Sequence, residues 1–145
     1  MELRLRVAFA AGVIFASVMF TARVAWAVDV CSFLSPDQAA AALSVPDVNA
    51  GAGPNRCIWT PKKYAQGAGQ FTVQVEGAND PAKMMGQGTP VSGVGNEALQ
   101  TVVASGSVLH VRKGNTWFVV NVHGVALAQA SQVEKAVALE ILPKL

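Results

Sequence analysis

A chain of 145 residues, 52 % of them hydrophobic and 14 % charged, is long enough to bury one sizeable core. Its formal charge of +2 is too small, and its basic residues too scattered, to make an electrostatic footprint for nucleic acid or anionic lipid. Without residues 1–27 the eleven basic residues lose Arg4, Arg6 and Arg23 and the nine acids lose Glu2, which leaves eight of each and a neutral remainder.

The first segment has the order of a secretory signal peptide. Met1–Arg6 carries two arginines, Val7–Phe20 is apolar with one serine, and the segment ends in Ala25-Trp26-Ala27. Cleavage is expected after Ala27. A retained membrane anchor would need about 20 apolar residues, and Arg23 interrupts this run before that length. Val28-Asp29-Val30 ahead of Cys31 is not a lipidation signal. The organisation read from the sequence is therefore a signal peptide over 1–27 and a single domain over 28–145, secreted or periplasmic, with no membrane span after processing.

The two cysteines, Cys31 and Cys57, read as a disulfide in an oxidising compartment. A redox or metal-binding pair is the alternative. Redox pairs usually take C-x-x-C spacing, and two thiols alone do not fill a zinc site.

Ser35-Pro36-Asp37-Gln38 predicts a helix start, with a capping Ser, Pro at the first helical position and Gln three residues after the cap. The helix runs through the alanines to Leu43 and stops before Val45-Pro46. Asn49–Arg56 reads as a Gly/Pro/Asn loop that delivers a short strand, Cys57-Ile58-Trp59-Thr60, ended by Pro61. After a loose turn over 62–69, Gln70–Glu76 alternates, with Phe71, Val73 and Val75 on one side, as a half-buried strand does. Gly77–Gly95 is the least regular stretch, with one helical turn expected through Lys83-Met84-Met85. Ala98–Val103 reads as a strand. Ser107–Lys113 and Thr116–His123 flank Gly114-Asn115, a two-residue hairpin loop of the type II′ kind. Its register pairs Val111 with Phe118 and Leu109 with Val120, and those four share an apolar face with Val122. Residues 127–142 carry Val133, Ala136, Val137 and Ile141 at helical spacing. This order predicts an α+β fold: an antiparallel β-sheet with N- and C-terminal helices packed on one face.

Several chemical motifs fail on physical grounds. Gly93-Val94-Gly95-Asn96-Glu97-Ala98 matches G-x-G-x-x-A, the dinucleotide fingerprint, but that site needs a strand before it and a helix after it. Here a β-rich run follows, so the motif reads as a tight turn into a strand. His110 lies opposite Val119 in the hairpin register, four residues from His123 along one face. At about 3.3 Å per residue that separation is roughly 13 Å, too far for one metal ion. No G-x-S-x-G elbow is present, and neither cysteine is expected to be free. No catalytic residue, metal site or cofactor is assigned.

One surface carries a binding hypothesis. The outer face of the hairpin holds Val108, His110, Arg112, Trp117, Val119, Asn121 and His123, with Arg112 across from Trp117 as a stacked pair. The candidate binding surface is His110, Arg112, Trp117, Val119 and His123, more apolar than solvent exposure requires. Coverage by Gly77–Gly95 is the alternative.

Cys31-Ser32-Phe33-Leu34-Ser35 leading into an alanine-rich helix, Cys57-Ile58-Trp59, Val91-Ser92-Gly93-Val94-Gly95-Asn96-Glu97-Ala98, and the strand ending in Lys113-Gly114 resemble a family of small exported bacterial proteins and lipoproteins of unknown function, frequent in actinobacteria. The resemblance spans nearly all of 29–142. It implies a disulfide between the two cysteines and a compact α+β domain, PsbP-like in architecture, and no assigned catalytic residues. This chain departs from the pattern in lacking the lipid-modified cysteine of many members. The function expected is a non-enzymatic binding or accessory module of the cell envelope, whose partner is a protein or small ligand of unknown identity. The alternatives are an envelope hydrolase with dispersed acid/base residues and a purely structural or stress-related envelope protein. The sequence leaves the oligomeric state open.

Overall fold

A computed structural model describes residues 28–63, 67, 69–77 and 88–145. The expected signal peptide with its cleavage point after Ala27, and the helical turn expected at 83–85, lie outside these residues. Seven strands form one antiparallel sheet: β1 (Val48–Gly53), β2 (Arg56–Pro61), β3 (Gln70–Gly77), β4 (Thr89–Pro90), β5 (Glu97–Val103), β6 (Gly106–Lys113) and β7 (Thr116–His123), in the order β1-β2-β3-β7-β6-β5-β4. Two helices, α1 (Pro36–Leu43) and α2 (Leu127–Ile141), cover one face; α1 lies against β1 and β2, and α2 against β6 and β7. This is the α+β fold the sequence predicts.

The start of α1 follows its local chemistry. Ser35 Oγ accepts from the Gln38 backbone N–H at 3.1 Å, and Gln38 Oε1 accepts from the Ser35 N–H at 2.9 Å, a reciprocal capping box. The helix closes at Ser44 in the left-handed conformation, φ 56°, one residue before Val45-Pro46. A 3-10 turn over Val30–Phe33 precedes it and carries Cys31, which forms a disulfide with Cys57 of β2.

The β6–β7 hairpin has the predicted register, Val111 opposite Phe118 and Leu109 opposite Val120. Gly114 takes φ 58° while Asn115 does not enter the positive-φ region, the sign pattern of a type II′ turn. Leu109, Val111, Phe118, Val120 and Val122 are all buried, together with Phe71, Val73 and Val75 of β3. Trp59 stacks on its cross-strand partner Phe71 with ring centroids 4.9 Å apart.

The structure departs from the sequence pattern at three places. Asn49–Arg56 is a hairpin: β1 pairs with β2 over Val48–Gly53, turning at Pro54-Asn55 with Asn55 at φ 52°. Gly77–Gly95 contains the two-residue strand β4, paired with Leu99 and Gln100. In α2 the buried stripe is Ala130, Val133, Glu134, Val137, Ala138 and Ile141, so Ala136 faces solvent and an acid faces the sheet. At the end of α2, Lys113 Nζ donates to Leu142 O at 2.5 Å, a cation placed on the negative end of the helix dipole.

Candidate binding face

The sheet face opposite the helices is assembled from alternate residues of four strands. The pairing sets them in cross-strand rows: Thr72, Asn121, Val108 and Thr101; then Gln74, Val119, His110 and Leu99; then Trp117, Arg112 and Glu97. The register shift between Val75 and Gly77 sits at the β3 end of the last row. His123 lies at the far end of β7, opposite Gln70 and Gly106. The five candidate residues thus fall on one face, in two clusters separated by the Asn121 row.

Arg112 is held on three sides. Its guanidinium carbon lies 5.9 Å from the Trp117 ring centroid, Nε donates to Glu97 Oε2 at 3.2 Å, and Nη1 donates to Gly114 O at 3.2 Å. Trp117 and Val119 are only 5 % and 9 % exposed, so at these two positions the face is closed and presents no open apolar patch; of the segment expected as the alternative cover, 78–87 lies outside the described residues. The polar members are the more unusual ones. His110 Nδ1 and Asn121 Oδ1 are buried with no hydrogen-bond partner among the described residues. Burial lowers the basicity of His110, and the Glu76 carboxylate works in the opposite direction.

At the other end, His123 Nδ1 is 3.0 Å from Ser105 Oγ. His123 also lines a shallow cavity of about 300 Å³ with Thr60, Pro61, Gly67, Gly69, Gln70 and Gly124. Among the described residues no carboxylate hydrogen-bonds to His123, and no three His, Cys, Asp or Glu side chains converge as metal ligands would.

The Gly93-Val94-Gly95 motif has the role of a clasp. No helix follows it; β5 starts at Glu97. Asn96 N–H donates to Arg112 O at 2.8 Å and Asn96 Oδ1 accepts from Gly114 N–H at 2.7 Å, so the loop grips the hairpin end. Gly95, at φ 62°, passes so close to Arg112 O that a Cβ would overlap it.

One charged side chain lies on the opposite, helix-covered side of the sheet. Glu134 on α2 is fully buried against the sheet, where Gln100 Nε2 donates to its Oε2 at 2.6 Å and also to Ser131 Oγ at 2.8 Å. Among the described residues, Glu134 Oε1 and the buried Ser107 Oγ complete no hydrogen bond of good geometry. Burial pushes the Glu134 carboxyl up to about 6, and the Ser107 hydroxyl and Gln100 amide temper that rise. The acid spacing in α2 gives no sign of this.

No family model matches this chain, and no curated protein or solved structure matches it either. Among the described residues no helix is long and apolar enough to cross a membrane.

Proposed function

We propose that residues 28–145 form an exported, non-enzymatic binding module of the cell envelope, and that the outer face of β3, β7 and β6 is its recognition surface. The observation carrying this reading is the pair of buried polar atoms on that face that find no partner among the described residues, His110 Nδ1 and Asn121 Oδ1. A buried polar atom left without a partner costs about 1–3 kcal/mol; both atoms are closed off from solvent, so a ligand with hydrogen-bonding groups removes that cost once the face opens to admit it. Arg112, fixed by Glu97, Gly114 and Trp117, offers a preorganised cation beside them. Export is supported by the charged, apolar and small-residue order of residues 1–27 and by the Cys31–Cys57 bridge, since disulfides persist in oxidising compartments. The resemblance to small exported proteins points the same way.

An envelope hydrolase is the second reading, favoured by one observation, the Ser105–His123 contact beside a cavity. It has a nucleophile and a base but no described acid to orient the imidazole, which places it behind the binding module.

A photo-reactive residue at exposed Gln74, on the outer face, is expected to cross-link a discrete envelope component, whereas one at exposed Lys135, on the solvent side of α2, is not. Combining the Gln74 probe with His110→Ala and Asn121→Ala should reduce the adduct several-fold. Equal adducts from both positions, or none from Gln74, would reject the outer face.

A further inference from the structure

The edge of the sheet at β1 lacks four devices that commonly keep a sheet edge from pairing. Within Val48–Gly53 there is no Lys, no Pro, no bulge and no inward charge, and Asn49, Ala50, Gly51 and Ala52 are all exposed. The direction of its free backbone groups follows from the ladder. Lys62 N–H donates to Asp47 O, which makes 47 and 62 a hydrogen-bonded pair. In an antiparallel ladder such pairs alternate, so Asn49, Gly51 and Gly53 bond to β2 while Val48, Ala50 and Ala52 point their N–H and C=O groups outward. Val48 confirms the phase, because its outward N–H is taken by Asp47 Oδ1 at 2.8 Å.

We infer that β1 pairs antiparallel with β1 of a second copy of this chain, about a two-fold axis through Gly51, to join the two sheets into one. In that register Ala50 faces Ala52 of the other copy, and both N–H and C=O groups of each alanine are satisfied. The ladder then ends without a lost bond. Val48 meets Pro54, and the Val48 N–H already has Asp47 while Pro54 has no N–H to offer. Shifting the axis to Ala50 would instead set Val48 against Ala52 and displace the Asp47 cap from both copies. At the axis two glycines meet, so no side chain obstructs the close approach of a non-hydrogen-bonded pair. Away from the axis Asn49 faces Gly53, beside which Arg56 lies, and Asp47 faces Asn55; no like charges oppose each other. A perpendicular two-fold keeps both outer faces on the same side. A single strand seam is small, so the dimer is weak and concentration-dependent. The inference does not depend on the binding face proposed above.

Sedimentation velocity of the purified protein from micromolar to millimolar concentration is expected to show a monomer–dimer equilibrium. Ala52→Pro removes an outward donor without touching the β1–β2 bonds and should weaken association about tenfold or more, because symmetry deletes the bond twice. Gly51→Glu and Gly51→Lys decide the matter even if the proline variant misfolds, since a Cβ at Gly51 has only Ile58 O near it, at 3.9 Å. Each alone sets like charges across the axis and should be monomeric, and an equimolar mixture should dimerise again. A wild-type protein that stays monomeric throughout overturns the inference. So does a dimer indifferent to the Gly51 charges.

Discussion

Glu134 shows how a single side chain can hide its role. Its neighbour Lys135 is exposed, and an acid in a helix rich in alanine carries no sequence mark of burial. Its orientation is fixed by Gln100, 34 residues earlier, and by the sheet surface beneath α2. No other titratable side chain of the facing strands shares the site: β6 presents Ser107, Leu109 and Val111, β7 presents Phe118, Val120 and Val122, and β5 presents Ala98 and Gln100. With the folded-state value raised from 4.5 to about 6, the native state binds the proton more tightly than the unfolded chain does. Stability is therefore greatest below about pH 4.5 as far as this group is concerned, falls as pH rises to about 6, and is level above, a change on the order of 2 kcal/mol. Glu134→Gln keeps the shape and abolishes that slope. Urea midpoints measured at pH 4.5 and 7 should differ in the wild type from this contribution and be correspondingly closer in the variant. His110 carries a related lesson: alternation marks it as an exposed strand histidine, yet its Nδ1 is buried, because the outer face is more enclosed than one strand's pattern reveals.

Elements whose signals lie within a few residues of one another were readable; elements that exist through a partner were not. The capping box at Ser35 and Gln38 and the Gly114-Asn115 turn are local agreements between side chain and backbone, so α1 and the β6–β7 hairpin stand as the sequence predicts. Ser35→Ala is expected to cost about 1 kcal/mol, seen as a lower urea midpoint with an unchanged slope. In contrast Val48–Gly53 has no apolar alternation and consists largely of residues that favour loops. It is a strand because Arg56–Pro61 offers it a ladder, a case of pairing overriding propensity. The same holds for Thr89-Pro90, which is a strand only along the edge of β5. Of the candidate face, the membership of the hairpin residues and the Arg112–Trp117 pair were legible, since both follow from register. The enclosure of Trp117 stood only as the alternative to an open face, and the contact of His123 with Ser105 was not legible, since neither is set by the hairpin itself.

At the scale of the whole molecule, the central pairing is the one that no local signal announces. β3 and β7 are neighbours in the sheet although β4, β5 and β6 intervene in the chain. Phe71 and Val73 settle opposite Val122 and Val120, but any apolar alternating strand could offer such partners, so only the closure of the complete core selects this order. The Cys31–Cys57 bridge stabilises that arrangement from one side, linking the segment before α1 to β2 across a sequence separation of 26. Cys31→Ala with Cys57→Ala should lower the unfolding free energy by about 3–4 kcal/mol on loop-closure grounds. That is a large part of the 5–15 kcal/mol typical of a domain, and a urea titration of the double variant reads it directly. The bridge has a topological effect as well. It closes 31–57 into a ring that contains α1 and the Pro54-Asn55 turn, the most solvent-facing corner of the first hairpin. A protease that nicks this ring releases nothing: the two pieces remain a single molecule, held by sulfur and by the sheet, and come apart only where a reductant can reach them.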